Sequence, residues 1–342
     1  MKLEWTPSTN WMRIKTIDVH AAGEPLRIIV DGFPSLPAGT ILEKRRFLKE
    51  NRDFLRTALM WEPRGHADMY GALITEPVSA ESDVGVIFMH NEGYSTMCGH
   101  GIIGLATVLL ETGLLTKEGE NPVIKMDTPA GLVTAIAHRE GNQVKTVSFQ
   151  NVPSFVYLAD QTIDVPGIGQ VHFDIAFGGA FYAFVQSEEV SIGLEAGDFR
   201  SLIDLGIRIK HAIMEAVPIQ HPYEKDLGFL YGVIFVGKAL EAGHHSRNVC
   251  IFADGEVDRS PTGTGVSARV ALHYAKKELD INQPITIESI IGTTFTGKVV
   301  STQNYGLYKA VIPEITGSAS IVGLCEWLID PQDPLRNGFI LR

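Results

Sequence analysis

A strand-rich α+β fold, a mixed α/β chain, is predicted by three observations: apolar residues alternate with polar ones on both sides of the midpoint, the few helical stretches do not alternate strictly with strands, and the length accommodates two cores. The alternating runs are 14–19, 26–30, 84–89, 123–126 and 132–138, then 146–149, 180–185, 232–236, 249–252 and 298–301. Gly, Pro and Asn punctuate them, as expected where strands end in turns. Helical spacing is read over 43–60, 101–111, 199–215 and 267–278, and the last three end near Gly, Pro or charged residues. At about 150 residues per domain, a length of 342 predicts two domains. The change of domain is expected between residues 155 and 175, near Pro153, Pro166, Gly167 and Gly169.

Composition narrows the function. The chain has 29 Lys and Arg against 40 Asp and Glu, a net charge of −11, so it lacks the basic footprint that nucleic acid or an anionic membrane requires. The apolar stretch 101–110 is about half of the ~20 residues a helix needs to cross a bilayer. Residues 1–12 carry Trp5 and Trp11 but no basic segment followed by an apolar one, so no secretion signal is expected. Cys98, Cys250 and Cys325 are too few and too scattered for a disulfide framework or a closed zinc site, and a reducing cytoplasm is the expected location.

The chain echoes itself where Met97-Cys98-Gly99-His100-Gly101-Ile102 is laid over Pro261-Thr262-Gly263-Thr264-Gly265-Val266. In each copy a loop leads through X-Gly-X-Gly into a helix with small residues in its first turns. Such a turn presents unpaired backbone N–H groups and the positive end of the helix dipole, an anion-binding arrangement. Two of them across a cleft can hold one carboxylate from both sides, with Cys98 and Thr262 at the helix starts. The plainer explanation is a pair of tight turns that use glycine for packing. Both copies also spell a dinucleotide fingerprint, GxGxxG at Gly99 and GxGxxA at Gly263. That fingerprint needs a strand running straight into its first glycine, whereas residues 91–98 intervene here, and the gap before the second copy is longer.

Cys98 at a helix start beside His100 occupies a position where a thiol's pKa is expected to fall towards a usable thiolate, either base or nucleophile. Cys250, inside the run 249–252, and Cys325, beside Leu324, are expected to be core residues. Asp258, on the loop that leads to Thr262, is placed to meet a cationic group of a substrate; Asp254 competes for that role but reads equally as a turn residue. His100 is placed to hydrogen-bond substrate or polarise the site.

These residues belong to a wider pattern. Thr16-Ile17-Asp18-Val19-His20 with Gly23-Glu24-Pro25, Glu62-Pro63-Arg64-Gly65-His66 with Asp68-Met69-Tyr70-Gly71, the Met97–His100 turn, Asp174-Ile175-Ala176-Phe177-Gly178-Gly179, the segment 258–265 and the ending Asp330-Pro331 with Asp333-Pro334-Leu335 together resemble the proline racemase family over nearly the whole chain. The resemblance implies a fold similar to diaminopimelate epimerase: two similar domains, each a mixed sheet wrapped around a central helix, with the active site between them. On that basis residues 12–165 plus 312–342 form the domain carrying Cys98, residues 166–311 form the domain carrying Asp258 and Thr262, and residues 1–11 are an extension without an assigned role. It also implies catalysis without cofactor or metal on a small amino-acid substrate. Cys98 resembles the first catalytic cysteine, Gly99 and His100 substrate-binding positions, Gly263 and Thr264 the carboxylate-binding pair, and Asp258 the aspartate that meets the ring nitrogen. The assembly is left open, a homodimer being the commonest outcome for soluble chains.

One departure bears on the reaction. Racemases and epimerases of the family carry a second cysteine where this chain has Thr262, so inversion by two bases loses one of them. A threonine hydroxyl without an activating neighbour is far too weak an acid to shuttle protons. Cys98 paired with Thr262 resembles the family's dehydratases, and the expected reaction is elimination of water from trans-3-hydroxy-L-proline. The alternatives are 4-hydroxyproline 2-epimerisation or proline racemisation, and an amino-acid-binding protein that keeps the cleft without the chemistry.

Overall fold

The computed structural model describes residues 4–341, whose strands join into one 17-stranded sheet. The helices are α1 (Ile41–Asn51), α2 (Asp53–Met60), α3 (Gly99–Glu111), α4 (Phe199–Ala216) and α5 (Gly263–Ala275). The helical run expected over 43–60 is broken at Arg52, which leaves helical geometry at φ −137° and ψ 15° and starts α2 in a new direction. Thr40 and Glu43 form a reciprocal capping box at the start of α1, satisfying N–H groups that a helix cannot bond internally. Strands the alternation alone did not assign include Tyr70–Thr75, Ser154–Val165, Gly169–Phe177, Tyr308–Gly317 and Ala319–Ile329.

Strand pairing follows the same course twice. From Met12–Ala21 the sheet runs antiparallel to Glu24–Asp31, parallel to Tyr70–Thr75, antiparallel to Val84–His90, parallel to Val123–Thr128, then antiparallel through Gly131–Glu140 and Gln143–Gln150. From Gly169–Phe177 it runs antiparallel to Phe181–Gln186, parallel to Leu230–Gly237, antiparallel to Ser246–Phe252, parallel to Ile285–Glu288, then antiparallel through Thr294–Tyr305 and Tyr308–Gly317. A parallel pair needs a crossover. In the first half α3 lies in the crossover from Val84–His90, and in the second α5 lies in the crossover from Ser246–Phe252. Tyr308–Gly317 also pairs with Gln143–Gln150 and Ser154–Val165, which joins the two halves and closes the second set of strands around α5.

Both crossover helices are buried on every side along most of their length, as enclosed helices are. Every residue from Gly99 to Leu110 in α3 is buried, as is every residue from Gly263 to Leu272 in α5. Phe88, Phe149, Phe155, Phe177, Phe181, Phe235 and Phe295 fill the space between helices and strands at under 2% exposure. In contrast α4 is amphipathic and lies on the outside, burying Leu202, Gly206, Ile209 and Ile213. Among the described residues no helix is long and apolar enough to cross a membrane.

Candidate active site

The two enclosed helices begin against each other. A methyl group added to Gly99 would lie 2.6 Å from the Gly263 Cα, and one added to Gly263 would lie 2.7 Å from the Gly99 Cα. Only glycine permits that approach, because the backbones themselves touch. The first N–H groups of each helix have no acceptor within it, so Gly99, His100, Gly263 and Thr264 direct donors to the same point with both helix dipoles behind them. Cys98, Gly99, His100, Asp258, Thr262, Gly263 and Thr264 line one cavity there, whereas Asp254, the competitor of Asp258, does not. Its volume is ≈ 20 Å³, room for about one water. A groove of ≈ 760 Å³ elsewhere, along residues 29–39 and 73–78, contains none of these groups.

Cys98 is the N-cap of α3. Its sulfur accepts the Gly101 N–H at 3.2 Å and lies 3.2 Å from His100 Nδ1. The expectation that the helix start lowers this thiol's pKa is corrected here. Burial pushes it well above the ordinary thiol range, Asp258 and Glu24 add to the rise, and the Gly101 N–H and Tyr70 hydroxyl oppose it without prevailing. Burial penalises the charged form, and depth, unlike local polarity, is not legible in a run of residues. His100 is held neutral, its pKa lowered to about 3 by burial, although the Pro25 carbonyl hydrogen-bonds the ring.

On the other side, the Asp258 carboxylate accepts the Ser260 N–H at 2.7 Å, and burial raises its pKa. Thr262 is the N-cap of α5 in the left-handed region, φ 65° and ψ 93°, uncommon for a β-branched residue. Its N–H donates to Ser260 Oγ at 3.1 Å, while its own hydroxyl is buried in the cavity wall, where it favours the charged forms of Asp258 and Cys250. Thr264 and Tyr182 share a hydroxyl hydrogen bond of 2.7 Å.

Several further residues take places that the sequence did not predict. Cys250, expected in the core, is fully buried yet forms part of the cavity wall, with its thiol pKa driven up by burial. Cys325 is partly exposed in the strand Ala319–Ile329. Tyr70, Tyr182, Tyr231 and Phe252 supply aromatic walls. Glu24 is fully buried; one carboxylate oxygen accepts the Arg259 N–H at 2.7 Å, and burial followed by the charge of Asp258 raises its pKa well above the carboxylate range. Arg259 also pairs with Asp68 at 2.9 Å. Glu24 and Tyr70 both sit inside short runs dense in Gly and Pro or Gly and His, the signal by which they were open to notice. Among the described residues no group of His, Cys, Asp and Glu side chains is placed to hold a metal ion.

The family model described as Proline racemase matches residues 16–340. The chain belongs to the proline racemase family. A trans-3-hydroxy-L-proline dehydratase of Colwellia psychrerythraea is 49% identical over 342 residues, covering 99% of this chain and 96% of that protein. A trans-L-3-hydroxyproline dehydratase of Xenopus tropicalis is 42% identical, covering 100% of this chain and 99% of its own length. Among solved structures, a hydroxyproline epimerase from Agrobacterium vitis with bound trans-4-hydroxy-L-proline superposes with a TM-score of 0.93 at 30% identity, covering 98% of this chain and 96% of that one. The family's mixed α/β architecture is therefore this chain's fold.

Proposed function

We propose that this chain is a hydro-lyase that dehydrates trans-3-hydroxy-L-proline to pyrroline-2-carboxylate and water, without a cofactor, in the cavity between the starts of α3 and α5. The observation that carries this reading is the inequality of the two helix starts: a thiol at Cys98 faces a hydroxyl at Thr262. Full-length relatives named as dehydratases support it. Inversion, the reaction named for the Agrobacterium vitis structure, is the second reading. It would require Thr262 or Cys250, both in the cavity wall, as a second base.

In the proposed mechanism, the substrate carboxylate sits between the two helix starts, bound by the N–H groups of Gly99, His100, Gly263 and Thr264. Its ring nitrogen meets Asp258. The substrate ammonium brings positive charge towards the Cys98 sulfur, which favours the thiolate that burial alone disfavours. Cys98 then takes the Cα proton, and each well-placed N–H stabilises the carbanion-like state by about 3 kcal/mol. In the trans isomer the 3-hydroxyl projects from the same ring face as the Cα hydrogen, so elimination is syn. Thr262 binds substrate and carries no proton.

We also read the chain as two domains of diaminopimelate epimerase-like design, residues 12–165 plus 312–342 and residues 166–311. The repeated order of strand pairings and the two enclosed helices support that division. The free thiols of Cys98, Cys250 and Cys325 are in keeping with a reducing, cytoplasmic location.

A proton NMR time course in deuterated buffer tests the reaction, with trans-3-hydroxy-L-proline, trans-4-hydroxy-L-proline and L-proline in separate samples. Loss of ring signals from the 3-hydroxy substrate alone, with growth of pyrroline-2-carboxylate, is the expected result. Cα deuteration with inversion in either other sample, and no elimination in the first, would overturn it.

A further inference from the structure

The mechanism above removes a proton from Cα but leaves open which group protonates the departing hydroxyl. We propose that Tyr70 is that acid, and that Ser95 and Tyr231 position its hydroxyl for the task. The inference rests on the dehydratase reading and extends it.

Geometry selects Tyr70. Because the 3-hydroxyl leaves from the face that presents the Cα hydrogen, its acid must stand beside Cys98 and not beside Thr262. Tyr70 and Cys98 line the same cavity, and the Tyr70 ring meets the His100 ring edge-on at 4.7 Å, the imidazole that itself touches the Cys98 sulfur. The Tyr70 hydroxyl lowers the pKa of that thiol against the larger effect of burial. Its neighbours on this face are less suitable. His100 is neutral, with one side donating to the Pro25 carbonyl, and Glu24, whose pKa burial raises, is not part of the cavity wall.

Three buried hydroxyls form a closed group: Tyr70 bonds to Ser95 and lies 3.2 Å from the Tyr231 oxygen, and Ser95 lies 2.9 Å from the Tyr231 oxygen. Three oxygens carry three protons. When Ser95 and Tyr231 both donate to the Tyr70 oxygen, the Tyr70 proton is left for the cavity, and the Ser95 hydrogen bond offsets part of the rise that burial, Cys98 and Tyr231 give the Tyr70 pKa. The group is held in place, since the Ser95 N–H bonds to the Phe88 carbonyl at 3.1 Å and the Tyr231 ring stacks on Phe252 at 5.4 Å.

The cycle balances without a further reactant. The Cys98 thiolate takes the Cα proton, that electron pair forms the Cα–C3 double bond, and the C3–O bond breaks as oxygen receives the Tyr70 proton and leaves as water. The Tyr70 phenolate then recovers a proton from the adjacent Cys98 thiol, which restores both groups.

The test compares two leaving groups in the wild type, Tyr70→Phe and Cys98→Ser. Hydroxide needs a proton to leave, whereas chloride from trans-3-chloro-L-proline does not. Tyr70→Phe is expected to lower turnover of trans-3-hydroxy-L-proline by about 10²–10⁴-fold, the usual worth of a general acid, with turnover of the chloro compound lowered by no more than about tenfold, the worth of the one hydrogen bond that favours the Cys98 thiolate. Cys98→Ser should lose both. Retained turnover of the hydroxy substrate by Tyr70→Phe, or equal loss of both substrates, overturns the assignment of Tyr70. Failure of the wild type to form pyrroline-2-carboxylate from the hydroxy substrate overturns the dehydratase reading itself, and this assignment with it. Should Tyr70→Phe fail to fold, as judged by loss of pyrrole-2-carboxylate binding, Tyr231→Phe replaces it: removal of one donor to Tyr70 should slow the hydroxy substrate selectively, and an equal effect on both substrates overturns the proposal.

Discussion

At the start of α3, Cys98 lies in extended backbone at φ −143° and ψ 110°, and its sulfur accepts an N–H from the first turn. At the start of α5, Thr262 lies in the left-handed region at φ 65° and ψ 93°, and its side chain caps nothing. The two residues occupy equivalent places in the repeated strand order, so the difference belongs to the residues and not to the scaffold. A β-branched residue at positive φ costs about 1–3 kcal/mol and persists only where its surroundings over-determine it. Here the Ser260 hydroxyl accepts the Thr262 N–H, and the Thr262 carbonyl accepts the Val266 N–H at 2.7 Å. The strained conformation holds a hydroxyl in the cavity wall beside Asp258 and Cys250. That suits recognition of a ligand, while a sulfur already held by an N–H suits proton transfer.

The severest way to break this division is Cys98→Ala. If α3 carries the base, turnover of trans-3-hydroxy-L-proline should fall by about 10³-fold or more, with binding of pyrrole-2-carboxylate retained. Steady-state kinetics with a ligand titration separates the two, and near-normal turnover would remove Cys98 from the mechanism. Thr262→Ala is milder, because it deletes a binding hydroxyl while keeping the thiol. KM should rise by about 10-fold, the worth of one hydrogen bond, with kcat changed less. A kcat collapse matching that of Cys98→Ala would mean that both helix starts take part in proton transfer. Thr262→Cys sharpens the contrast in the other direction: a second thiol should bring Cα deuterium exchange on both faces of L-proline, and its absence would show that the second face needs more than a thiol.

Much of this contrast is legible in the sequence, because its elements are local. Cys98, Gly99 and His100 are contiguous, Thr262, Gly263 and Thr264 are contiguous, and X-Gly-X-Gly before a helix has a physical meaning on its own. The closeness of Gly99 to Gly263 is not local; it follows from strand pairings that place two crossovers in register. Tyr70, Tyr231 and Cys250 reach the cavity from separate strands, and no spacing in the chain connects them. Cys250 shows the limit well: an apolar strand predicts burial correctly, but not that the buried face borders a site. Arg52 shows another, since the apolar period runs through a backbone break that only φ and ψ reveal.

The smallest effect concerns the Cys98 pKa, where two influences compete. The helix start and the Gly101 N–H favour the thiolate, while burial and the neighbouring Asp258 and Glu24 favour the thiol, and burial is the larger. Raising pH removes the thiol proton, so the rate of Cys98 alkylation by iodoacetamide should increase with pH and keep increasing beyond the range where an ordinary cysteine levels off. Each unit of upward shift makes labelling about tenfold slower than a free thiol at neutral pH. Mass spectrometry of the Cys98 peptide across the pH range reads this directly. A plateau at or below neutral pH would mean that the helix start outweighs burial, as it would if the walls stand apart in solution and water reaches the sulfur. The same labelling with pyrrole-2-carboxylate present distinguishes these cases, because a ligand that draws the walls together should suppress labelling most where the free protein is open.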